Sequence, residues 1–183
     1  MRESRALPSP FYRSYRRSSG PGHRLCRSLY EYRGTQVYPY VEQILASESI
    51  IVGGVLERHP GLRVAFLECG CSWLAYWLRR LDEELEAWGW HVVPWLKAKP
   101  SEYYLRECFA SMEGDEPGAR YYIEMHGDDN LLWASDYTHP DASYPDSASQ
   151  FLALDSISSD TQKKVLWDNP IMYRGFQPSL SQP

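Results

Sequence analysis

Asn130-Leu131-Leu132-Trp133-Ala134-Ser135-Asp136-Tyr137-Thr138-His139-Pro140-Asp141-Ala142-Ser143-Tyr144-Pro145 is the stretch on which the reading of this chain turns. Leu131 to Ala134 is a short apolar run that follows the polar turn Gly127-Asp128-Asp129-Asn130, the pattern of a strand buried on both faces. Ser135, Asp136, His139 and Asp141 crowd the end of that run. In α/β proteins the carboxyl ends of parallel strands are where sites are built. A carboxylate held there can bind a divalent metal or take a proton, and an imidazole three residues on can reach the same space. An ordinary structural role fits the same residues equally well: Asp136 and Asp141 as turn and cap residues, His139 as the residue before a proline.

Working outward, the preceding chain supplies two more strands with helices between them. From Pro39 a helical pattern places Val41, Ile44, Leu45, Ser49, Val52 and Val55 or Leu56 on one face and ends at Pro60-Gly61. Leu62 to Leu67 reads as a strand leaving through Glu68-Cys69-Gly70-Cys71-Ser72, and Trp73 to Ala87 as an amphipathic helix with Leu74, Trp77, Leu78, Leu81 and Leu85 inward. Trp88 to Pro100, aromatic and interrupted by prolines, reads as a loop or lid. Cys108 to Met112 is the weakest of the strand candidates, and Pro117 to Met125 a helix closed by Gly127. Beyond the Asp136 loop, Ser147 to Leu154 is helical. Ser159-Asp160-Thr161-Gln162 has the form of a capping box, and a last helix runs to Trp167, stopped by Asp168-Asn169-Pro170. Alternating helices and strands demand parallel strands joined by right-handed crossovers. Three strands make a small open sheet, whereas closing a barrel takes about eight.

The totals agree with one α/β domain. The chain has 183 residues, 43% of them hydrophobic and 14% aromatic, which is ample for a core. Nothing approaches the ~20 apolar residues of a membrane span, and the start lacks the apolar segment of a secretory signal, so a cytoplasmic location is expected. Cys26, Cys69, Cys71 and Cys108 are too few and too unevenly placed for a disulfide scaffold, and are read as reduced thiols. The net charge of -5 hides an asymmetry: residues 1–34 carry eight Arg and two Glu, the remainder eleven Lys plus Arg against twenty-two Asp plus Glu. The acidic body argues against nucleic acid as a partner. The Arg- and Ser-rich segment 1–34 is expected to be a disordered basic tail; an organelle transit peptide or an RNA-contacting arm are the lesser alternatives.

Several of these segments together resemble a known family. Gly54 to Glu68 (Gly-Val-Leu-Glu-Arg-His-Pro-Gly-Leu-Arg-Val-Ala-Phe-Leu-Glu), Trp73-Leu74 with Arg80-Leu81-Asp82, Pro100-Ser101-Glu102-Tyr103, Trp133 to Asp141, and Asp168-Asn169-Pro170 are similar to the amidohydrolase-related family that includes aminocarboxymuconate-semialdehyde decarboxylase. The resemblance runs from about Val37 to Phe176 with the motifs in order. It implies a metal-dependent TIM barrel, (β/α)8, of which residues 35–183 would be the C-terminal part, and an activity of hydrolysis or decarboxylation. The resemblance places Asp136 on the metal ligand that ends the last barrel strand and His139 on the histidine that steadies it. A divalent ion, zinc or else manganese, would lower the pKa of bound water towards ~7. The substrate class implied is a small aromatic or unsaturated carboxylic acid.

The departures are also specific. Thr138 stands where the family usually has proline. Glu68 and Cys69 stand where the decarboxylase branch carries a histidine; another branch has Glu there, so Glu68 is read as substrate-side or structural, together with Trp73, and with Trp90 and Trp95 as further lining candidates. Cys69-x-Cys71 is unlike a zinc ribbon. The first-strand ligands and the histidine after the fifth strand should lie upstream of Val37, and nothing in residues 1–34 resembles them, His23 included. The expectation is therefore an enzyme site incomplete and inactive in this chain alone, with a homo-oligomer or a separate half-barrel to complete it. The alternative is a non-catalytic remnant that packs its open sheet edge on another chain.

Overall fold

A parallel sheet forms because three short runs are apolar on both faces and each is followed by a segment long enough to cross back. The computed structural model describes residues 38–175 other than 115, 136 and 139–143. Its contacts divide the chain into two units, 1–39 and 40–183, and the sheet belongs to the second. The expected tail at 1–34, with Cys26 and His23, lies outside the described residues.

Among the described residues the sheet has three strands, β1 (Val64–Phe66), β2 (Cys108–Met112) and β3 (Leu131–Trp133), in the order β1-β2-β3. Both pairings are parallel, with Ala65 opposite Phe109 and Ser111 opposite Leu132. The expected three-strand α/β fold is thus present. β2, the weakest candidate in the sequence, is the central strand, with all five residues buried. Its want of alternation is the consequence of having a neighbour or a layer on every side.

The helices are α1 (Tyr38–Ile51), α2 (Val55–Arg58), α3 (Ser72–Glu84), α4 (Trp90–Val92), α5 (Pro100–Glu107), α6 (Ala119–His126), α7 (Ser147–Leu152), α8 (Ser159–Lys163) and α9 (Asn169–Tyr173). One face of the sheet (Phe66, Cys108, Ala110, Met112, Leu131) joins Leu74, Leu78 and Leu85 of the α3 segment and Tyr103, Tyr104, Tyr122 and Phe151 in a single core. At roughly 25 cal/mol per Å² of apolar surface, each fully buried large side chain contributes about 2 kcal/mol.

Four local expectations are corrected. The first helix breaks at Gly54, whose φ of 72° only glycine adopts freely, so α2 is a separate turn. The face set by Val41 and Leu45 is exposed, at 48% and 54%, and Ser47 and Ile51 are buried instead, because the helix docks on α3 through the Trp77 indole donating to Ser47 Oγ at 3.1 Å. The cap of α8 is Ser158, not Ser159: its Oγ accepts from Thr161 N at 3.1 Å, while Gln162 is buried and donates to the Phe151 and Leu152 carbonyls. The last helix does not stop at Asp168-Asn169-Pro170. A widened turn over Lys164–Asp168 passes the chain into α9, where Pro170 sits in the first turn and has no N–H to leave unpaired.

Candidate active site

The carboxyl ends of the strands bring three loops together, and backbone geometry decides what each presents. After β1 the chain turns through Glu68, at φ 66°, and Gly70, at φ 58°, into the first turn of α3. A left-handed glutamate is unfavourable by about 1 kcal/mol or more, a strain that the surrounding contacts must hold. They do so from β2: Ser111 Oγ accepts from Glu68 N at 3.0 Å. The Glu68 side chain is exposed at the strand end.

After β2 come Glu113 and Glu116, which sequence reasoning passed over. Glu116 Oε1 accepts from Cys71 N at 2.8 Å, Ser72 N at 2.7 Å and Ser72 Oγ at 2.5 Å, so its carboxylate closes the amino end of α3. Its Oε2 accepts from Glu113 N at 3.3 Å and from the Cys71 thiol at 3.6 Å. Glu113 accepts from Tyr40 Oη at 3.4 Å, and burial together with the Glu113 charge raises the Tyr40 phenol above its ordinary pKa. The signal that would have found both glutamates is the one used for Asp136: a carboxylate in the first few residues after an apolar strand.

The thiols here are held in their neutral form by their surroundings. Burial, then the charges of Glu113 and Glu68, push Cys69 up to about 11, and burial with the adjoining Glu116 raises Cys71 further still. Both remain protonated near neutrality. Trp73 is half-buried, its indole N–H on the Gly70 carbonyl at 3.0 Å and its ring edge-on to Phe66 at 6.4 Å, contacts that anchor the loop to the core. Trp90 and Trp95 are half exposed, and the Trp95 indole donates to the Val52 carbonyl at 2.8 Å.

After β3, Ser135 is half-buried and its Oγ accepts from Tyr137 N at 3.3 Å. Asp136, His139 and Asp141 lie outside the described residues. Among the described residues no group of three His, Cys, Asp or Glu could hold a metal ion. Those residues alone therefore do not fit a divalent metal, and Glu116 is consumed by its donors. A cavity of about 450 Å³ does exist, lined by Val52, Trp77, Leu81, Trp88, Val93 and Leu96. It lies between the C-terminal halves of α1 and α3, and helices that return between parallel strands run back towards the strands' amino ends, so it belongs to the end of the sheet away from these loops.

Comparison with known proteins agrees with the fold. The family model described as amidohydrolase matches residues 29–172. The curated 2-amino-3-carboxymuconate-6-semialdehyde decarboxylase of Dictyostelium discoideum is 25% identical over 143 residues, 75% of this chain and 38% of that protein. Among solved structures, 5-carboxyvanillate decarboxylase of Sphingomonas paucimobilis is 29% identical with a TM-score of 0.56, covering 70% of this chain and 38% of that one. A dihydroxybenzoic acid decarboxylase of Polaromonas sp. JS666, solved with manganese and the inhibitor 2-nitroresorcinol, is 20% identical with a TM-score of 0.61, covering 80% and 46%. This chain thus spans less than half the length of each of these three proteins, and its three parallel strands with flanking helices correspond to part of their TIM-barrel fold.

Proposed function

The chain belongs to the amidohydrolase family, and from that premise we propose that it carries one sector of a divalent-metal-dependent decarboxylase or hydrolase site acting on a small aromatic or unsaturated carboxylic acid. Asp136 is the metal ligand of this sector, His139 the side chain that steadies it, and Glu68 faces the substrate from the end of β1, with Trp73 behind it. Zinc is the metal of this reading, and manganese, bound in the Polaromonas decarboxylase, is the alternative. The observation that carries this reading is the parallel register. It brings the ends of β1, β2 and β3 to one edge of the sheet, so that the loops carrying Glu68 and Glu113 leave from the same edge as the end of β3.

Support for the substrate class comes from the relatives, whose names are those of decarboxylases of aromatic or unsaturated acids. The remaining ligands come from elsewhere in the polypeptide or from a second chain. In this reading the 183-residue chain alone does not turn over substrate. A second reading, a non-catalytic protein that packs on another chain, is favoured by the lack of a three-residue ligand group among the described residues. It is favoured too by large apolar side chains left exposed, Trp88 at 73% and Val92 at 69%.

Metal content separates the two. Purified chain is offered zinc or manganese, dialysed, and assayed by elemental analysis; about one equivalent retained by the wild type and lost in Asp136→Asn supports the site. Retention undiminished in Asp136→Asn sinks the assignment of Asp136, and no retention by the wild type favours the packing role. Among the described residues no helix is long and apolar enough to cross a membrane.

A further inference from the structure

We propose that Glu116 is a positioning residue, an internal carboxylate that clasps the loop after β1 to the loop after β2 and so sets where Glu68 and Glu113 stand at the strand ends. Its functional meaning rests on the reading of these strand ends as the reacting face. Its geometry does not.

The clasp is unusually complete for one side chain. Five donors converge on its two oxygens: three on Oε1 from Cys71 and Ser72, and two on Oε2 from Glu113 N and Cys71 Sγ. Four of the five come from another segment of the chain, more than forty residues away. Its donors include amides of the first turn of a thirteen-residue helix, which have no partner within the helix. Two glycines make the approach possible. A Cβ on Gly70 would stand 2.6 Å from Glu116 Oε1, and a Cβ on Gly118 would collide with the Ser72 side chain. At Gly70 the left-handed φ of 58° also favours glycine, so one residue type meets both demands.

The consequences reach the two outward carboxylates by short paths. Glu68 precedes Cys71 by three residues, in a loop wound by two left-handed residues and pinned at Glu68 N by Ser111, at Gly70 O by the Trp73 indole and at Cys71 and Ser72 by Glu116. Glu113 is held at its own backbone N–H by Glu116 Oε2 and at its side chain by Tyr40. Without the clasp the β1 loop keeps the Ser111 bond and the Trp73 indole contact to Gly70 O, which tie its two ends but not the Cys71-Ser72 turn between them.

Three buried cysteines report the clasp separately from the fold. Cys69 and Cys71 lie in the clasped loop, whereas Cys108 lies in the central strand and opens only when the sheet does. The experiment is native-state alkylation of the full chain with iodoacetamide, with the rate at each cysteine read by peptide mass spectrometry. In Glu116→Ala, Cys69 and Cys71 should react at least ~10-fold faster than in the wild type while Cys108 is unchanged. Glu116→Gln keeps an oxygen for the Cys71 and Ser72 donors, so its rates should stay within about threefold of wild type. This separates the clasp from loss of charge beside the thiols, which both variants share. Ser72→Ala, which deletes one donor and leaves the core intact, should give a smaller rise at Cys71 alone. Unchanged Cys69 and Cys71 in Glu116→Ala, equal rates in the Gln and Ala variants, or Cys108 rising with the other two in all three variants would each overturn the proposal. These readouts do not depend on metal or turnover, so failure of the clasp and failure of the proposed function are told apart.

Discussion

The two ends of the same three strands are built on opposite plans. At the amino ends, buried amides are spent on backbone. Asn130 Nδ2 donates to the carbonyls of Leu105 and Cys108, and Asn169 Nδ2 to those of Asp128 and Leu131 at 2.6 and 2.8 Å. Asp128 accepts from Thr161 Oγ1 and Lys164 Nζ, and Glu107 from Gly61 N. At the carboxyl ends the backbone is strained at Glu68, and the carboxylates face outward or are clasped by loop amides. The difference teaches which end is for holding and which for acting: at the amino ends these polar groups are held by the fold, and the one left over, Glu107 Oε2, is buried rather than presented to a ligand.

The comparison is broken most severely at Asn169, which is 2% exposed. Asn169→Ala removes the donor from the buried Leu131 carbonyl and one of the two donors from the Asp128 carbonyl, and should lower stability by about 2–3 kcal/mol in urea denaturation. The relative alkylation rates of Cys69 and Cys71 should not move apart from that of Cys108. A selective rise at Cys69 and Cys71 would mean that the two ends are coupled rather than independent.

A smaller effect is expected at Asp128. Burial opposes its charge, but the hydrogen bonds from Lys164 and Thr161 outweigh it and hold its carboxyl below the usual value. A depressed folded-state pKa contributes stability that is fully present above the ordinary carboxylate pKa of ~3.9 and is lost as pH falls through the folded value. Asp128→Asn should therefore cost about 1–2 kcal/mol at pH 7 and flatten the acid limb of the stability profile below about pH 4. An acid limb identical to wild type would show that Asp128 does not contribute to it.

The smallest change sharpens the contrast from the other side. Glu68→Gly relieves the left-handed strain and should raise stability by about 1 kcal/mol, measured as an upward shift in the urea midpoint. A loss of stability would mean that the Glu68 side chain holds the fold, and the carboxyl end would no longer be the strained one.

Much of this architecture was legible in the residues. The apolar face of α3 was readable because Leu74, Leu78, Leu81 and Leu85 recur at helical spacing, and all four are buried. β3 was readable because a polar turn and a carboxylate-bearing loop bracket Leu131 to Trp133. Less was legible where a partner decides. The burial of Ser47 depends on Trp77, thirty residues on, and the cap at Ser158 depends on which of two adjacent serines has extended backbone. Of the residues at the strand ends, Glu68 stood out beside the cysteines, whereas Glu113 and Glu116 carry only the signal of carboxylates shortly after an apolar run, and what they hold shows once β1 and β2 are laid side by side.

The sequence by itself determined the parallel α/β order, the inward face of α3, and the resemblance that names the family, because each of these is written in local spacing or in the order of short motifs. Only the tertiary structure decided that Cys108 to Met112 is the centre of the sheet, that Asp168-Asn169-Pro170 continues a helix and ties it to β3, and that Glu116 belongs to the first turn of α3. The physical reason is common to all three. Burial on both faces erases periodicity, and a hydrogen bond between residues some forty positions apart leaves no trace in the spacing of either.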